Sequence, residues 1–71
     1  MEYITVDVTK VPGAMRTVTL EVGSTVEDAL RVADIELGSG YEVRVDGDNA
    51  TVTDTLEDGS TVVVTKMIKG N

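Results

Sequence analysis

With 71 residues, a formal charge of −7 and neither cysteine nor histidine, the chain excludes several possibilities before any pattern is read. It has no disulfide to staple it and no imidazole for acid–base work or zinc binding. Its six basic residues are scattered, which argues against a nucleic-acid partner, because phosphate binding needs clustered Lys and Arg.

The first predicted strand covers residues 3–9, where Ile4, Val6 and Val8 alternate with Tyr3, Thr5, Asp7 and Thr9. A period of two is the mark of a half-buried strand. Val11-Pro12-Gly13-Ala14 reads as a turn, since proline presets φ and glycine accepts positive φ. Residues 15–22 alternate again, with Val18, Leu20 and Val22 expected inward, so the first two strands form a hairpin.

The stretch 22–37 carries the one convincing helix. Val26, Ala29, Leu30 and Ala33 fall at the i, i+3, i+4, i+7 spacing of one helical face. Ser24 and Glu27 match an S-x-x-E capping box. Glu27 and Asp28 place negative charge at the positive end of the helix dipole. Gly38 is the expected stop, because a residue without Cβ enters the left-handed region freely.

After the Gly38-Ser39-Gly40 connector, Tyr41, Val43 and Val45 alternate with Glu42, Arg44 and Asp46 in a third strand. Asp46-Gly47-Asp48-Asn49 is a reversal. Ala50-Thr51-Val52 is at most a short edge strand, and the loop that follows has one buried anchor, Leu56. Residues 60–68 form the last strand, with Val62 and Val64 inward. One helix can cover only one face of the sheet. The Val-rich last strand belongs in the buried centre beside the first. The predicted fold is therefore α+β, a mixed sheet of four to five strands in the order ββαββ(β), in the β-grasp arrangement. Residues 1–71 are expected to form a single domain, with 69–71 a flexible tail. A domain this small buries only ~60% of its unfolded surface.

Those residues resemble a ubiquitin-like β-grasp protein over nearly the whole chain. Thr19-Leu20-Glu21-Val22 before a capped helix is similar to the end of ubiquitin's second strand. Val45-Asp46-Gly47 and Leu56-Glu57-Asp58-Gly59-Ser60-Thr61-Val62 resemble the cadence of ThiS- and MoaD-like sulfur carriers. The resemblance implies two functions. One is a non-catalytic protein-interaction or modifier-like module. The other is a sulfur carrier whose C-terminus is adenylated by an activating enzyme. Carriers and conjugated modifiers end in Gly-Gly, whereas this chain ends Lys69-Gly70-Asn71. Only Gly70 matches, so the candidate activation site is Gly70 and Asn71: either Asn71 is removed and the Gly70 carboxylate is activated, or the chain is never activated.

Ubiquitin-like proteins that bind through the sheet present an apolar residue on the outer face of the third strand. Arg44 stands there in this chain, and docking would have to desolvate its charge. Val63 and Met67 supply apolar surface on the last strand, so Arg44, Val63, Met67 and Lys69 form the candidate partner-binding surface. Asp46, Asp48 and Asn49 faintly resemble a calcium loop, but the twelve-residue pattern is broken and a solvated turn explains them. No catalytic residues, metal site or cofactor are expected. No apolar run approaches the ~20 residues of a membrane span. MEYITVDV has no basic segment before an apolar one, so no signal peptide is expected. The expected protein is a cytoplasmic monomer that meets a protein partner and neither nucleic acid nor membrane.

Overall fold

Val and Thr alternate along much of this chain, so every second side chain turns to one face, and that face is where the core forms. The computed structural model describes residues 2–13 and 15–67. Its elements are β1 (Tyr3–Val11), β2 (Met15–Glu21), α1 (Val26–Val32), β3 (Tyr41–Val45), β4 (Asp48–Ala50) and β5 (Thr61–Lys66). They build a five-stranded sheet in the order β2-β1-β5-β3-β4. β1 and β5 run parallel at its centre, and the other pairs are antiparallel. This is the mixed sheet that the alternation predicts.

The inward residues are those the period of two selects. Ile4, Val6, Val8, Val18, Leu20, Val43, Val62 and Val64 are buried from the sheet side. Val26, Ala29, Leu30 and Ala33 meet them from the helix, and Leu56 plugs the loop end. No aromatic ring is among these buried residues, so the interior rests on aliphatic shape complementarity.

Several expectations fail at the ends of elements. The helix is Val26–Val32, much shorter than the stretch 22–37. Its N-cap is Thr25 rather than Ser24. Thr25 is still extended and forms an isolated bridge with Thr55, while the Ser24 carbonyl accepts from the Leu56 amide at 2.9 Å. The coil therefore starts one residue late. Asp28, in place of Glu27, reaches back to accept from the Thr25 amide at 3.0 Å.

The stop also moves. Asp34 takes φ 59°, its amide donates to Arg31 O at 3.2 Å, and the Ile35 amide donates to Leu30 O at 2.9 Å. That pair of bonds is a Schellman ending. The helix closes at Asp34, and Gly38 is not the terminator. Val22, expected inward, is 57% exposed because β2 ends at Glu21 and Gly23, at φ 93°, swings the chain away. The fourth strand is Asp48–Ala50 rather than residues 50–52. Asp46 and Gly47, at φ 52° and 88°, fill the two central positions of the β3–β4 hairpin, as a type I′ turn requires.

Candidate functional site

The helix occupies one face of the sheet, so any sheet-borne recognition surface lies on the other. Alternation decides what stands there. On β3, burial of Val43 turns Glu42 and Arg44 outward. On β5, burial of Val62 and Val64 turns Val63 and Thr65 outward. Register then sets neighbours: Val63 lies between Thr9 of β1 and Arg44 of β3, and Thr65 between Val11 and Glu42. Met67 follows, its amide donating to Gly40 O at 2.7 Å.

These residues line an open depression of ≈ 620 Å³, with Val11, Val63 and Met67 as its apolar part and Glu42, Arg44, Thr65 and Lys66 around them. Val11, at the end of β1, and Met67, just after β5, are each 45% exposed, a large fraction for apolar side chains. The Arg44 Nη2 donates to Glu42 Oε1 at 3.4 Å, a long contact between two partly exposed groups. Such a pair contributes little to stability. At the same end of the sheet, on the opposite face, the Lys10 ammonium lies 5.0 Å from the centroid of the Tyr41 ring.

Of the residues predicted for this surface, Arg44, Val63 and Met67 come together in one depression. Lys69, and the candidate activation residues Gly70 and Asn71, lie outside the described residues. The sequence reading missed Val11, Glu42, Thr65 and Lys66. Parity alone could have turned Glu42 and Thr65 outward. Only the β1–β5 register, invisible in the sequence, brings Val11 beside Thr65.

Many acids of this chain are occupied elsewhere. Asp46 Oδ1 accepts from the Thr61 amide at 3.0 Å, Asp58 Oδ1 from Thr5 at 2.8 Å, and Asp54 Oδ2 from Thr51 at 3.1 Å. The bond to Thr25 holds the Asp28 carboxyl below its ordinary value of 3.8, and Arg31 adds to the effect from 2.6 Å. Among the described residues, no group of three or more His, Cys, Asp or Glu side chains is placed to hold a metal ion. No helix among them is long and apolar enough to cross a membrane.

Neither a known family profile nor a curated protein sequence matches the chain. Solved structures do. The HVO 2177 protein of Haloferax volcanii superposes with a TM-score of 0.72 at 17% identity, over 97% of this chain and 88% of its own. A structure reported as molecular mimicry of SUMO that promotes DNA repair gives 0.66 at 19% identity, over 90% and 91%. A ubiquitin of Caldiarchaeum subterraneum gives 0.65 at 12% identity, over 99% and 100%. With five strands, one helix and a central parallel pair among its described residues, the chain has the ubiquitin-like β-grasp fold.

Proposed function

We propose that this chain is a small non-catalytic ubiquitin-like module that binds another protein, or is displayed as a modifier-like unit, through the outer face of its sheet. The observation that carries this reading is the convergence of Val11, Val63 and Met67 beside Arg44 in one open depression on the face away from the helix. Likeness in fold to a ubiquitin and to a SUMO mimic supports it. So does a composition without His or Cys, which leaves few side chains suited to acid–base or nucleophilic catalysis at neutral pH. A photoreactive amino acid at position 63, compared with one at the exposed helix position 32, tests it in native cells. The expected result is a discrete protein adduct from position 63 and none from position 32. Adducts from position 32 alone would move the interface to the helix face and end this reading.

A second reading keeps the sulfur carrier. It is favoured by the resemblance of residues 56–62 to the carriers' cadence, in which Leu56 is the buried anchor and Asp58-Gly59 the turn before β5, hydrogen-bonded to Thr5 of β1. Here Asn71 would be removed and the Gly70 carboxylate adenylated, with AMP then displaced by a sulfur nucleophile. Intact mass of the full-length chain and of a chain ending at Gly70, each after incubation with ATP, an activating enzyme and a sulfide donor, tests it. Replacement of a terminal OH by SH would establish the carrier, and an unchanged mass would reject it.

A further inference from the structure

The two described methionines of this protein stand on one face of the sheet. Burial of Val8 turns Thr9 outward, and Met15 of β2 lies opposite Thr9, which itself lies beside Val63 of β5. Met67 follows β5 and lines the depression with Val63. Met15 is 62% exposed and Met67 45%. The bond from the Met67 amide to Gly40 O anchors the main chain from which that side chain projects. The interior is the converse. Its described residues are Val, Leu, Ile, Ala and Ser60, with no sulfur among them. The chain also has no cysteine or tryptophan to compete for an oxidant. Where methionine fills gaps in a core, its oxidation disrupts packing. Here the same chemistry meets the outer face and leaves the core untouched.

We propose that Met67, with Met15 on the same face, is a site of reversible oxidation by peroxide-class oxidants, and that the sulfoxide closes this face to its partner. The modification site stands on exposure and placement alone. Its effect on docking rests on the reading above and adds regulation to it. In the forward step the thioether sulfur attacks one peroxide oxygen. The O–O bond breaks, an S=O bond forms and sulfur loses two electrons. The proton of the transferred oxygen passes to the departing hydroxide, which leaves as water. A thiol-dependent sulfoxide reductase restores the thioether. Two thiols supply the electrons and become a disulfide, and the oxygen leaves as water. The modification turns a flexible apolar side chain into a polar one at the edge of the depression. A partner that covers Met67 would then have to strip water from a strong acceptor, which opposes docking.

Treatment of the full-length chain with hydrogen peroxide tests the proposal. Peptide mass mapping, which separates Met1 from the other two, is expected to find one added oxygen on Met15 and one on Met67. Their rates should lie within about threefold of free methionine, since susceptibility follows exposure. The thermal midpoint should move by less than ~2 °C, because no buried contact changes. The chain carrying the photoreactive residue at position 63 is then oxidised, freed of peroxide and irradiated in lysate. It should give at least ~fivefold less adduct than the untreated chain, the effect of one desolvated polar group. A Met15→Leu, Met67→Leu double variant should keep its adduct after the same treatment. Sulfoxide reductase with dithiothreitol should restore the yield of the parent chain. Oxidation of Met67 more than about tenfold slower than free methionine would mean that its sulfur is shielded. Loss of the folded NMR spectrum would mean that the chemistry reaches the core. An undiminished adduct would mean that docking tolerates the sulfoxide. Each of these would overturn the proposal. Absence of an adduct from the untreated chain would instead end the docking reading and the switch built on it, while the mass map alone decides the modification site.

Discussion

At the scale of single residues, the aspartates work as backbone partners. Asp28, Asp46, Asp54 and Asp58 each accept a main-chain amide that a helix start, strand start or turn would otherwise leave unpaired. Asp28 gives this a pH signature. Its carboxyl is held below 3.8, first by the Thr25 amide, so it binds its proton more readily in the unfolded chain. Its stabilising contribution is present above 3.8 and is lost as pH falls through the folded-state value. Asp28→Asn should be less stable than the wild type at neutral pH, and that gap should close on acidification below 3.8. Urea midpoints across the acid range would check this, and a gap that stays constant with pH would contradict it.

The helix is an element held from outside. Seven residues are too few for a stable isolated helix, since nucleation is costly and each added bond contributes little. Its first amides are satisfied by another segment: Val26 donates to Asp54 O and Glu27 to Val52 O, both at 3.0 Å. At the other end Asp34 occupies the left-handed position that glycine takes most readily. Asp34→Gly should therefore stabilise the protein by about 0.5–1 kcal/mol. A fall in thermal midpoint would contradict that expectation. These ends also mark where the sequence stops being legible. The apolar stripe at Val26, Ala29, Leu30 and Ala33 and the alternation of the strands are periodic, and burial follows them closely. The ends are decided by competition between neighbouring motifs. Ser24/Glu27 and Thr25/Asp28 both fit a capping pattern, and the Thr25–Thr55 bridge chose the second. Asp34 and Gly38 are both admissible stops, and burial of Ile35 against the core accompanies the earlier one.

For the whole molecule, the aliphatic core is the common dependency of helix and sheet. Leu30 is 5% exposed in it, so Leu30→Ala should cost roughly 2–5 kcal/mol of unfolding free energy. That is a large share of what small domains possess. A loss below ~1 kcal/mol by urea unfolding would mean that the residue is not a core anchor. The outer face was half-legible in the same way. Parity exposed Arg44, Val63 and Met67, but the alignment of β1, β5 and β3 that gathers them with Val11 and Lys66 is a property of the assembled sheet.

The middle of the sheet joins β1 to β5, the opening and closing strands of the described chain. Until β5 is made, β1 has only β2 beside it, and β3 has only the three-residue β4. During synthesis the early hairpin and the helix must therefore wait on the ribosome without their keystone, since contacts so distant in sequence form late. Loss of the closing strand would leave the β1–β2 and β3–β4 hairpins with no strand pairing between them and open the aliphatic core that β5 completes to water, and such a fragment should be a substrate for chaperones and proteases rather than a smaller folded unit.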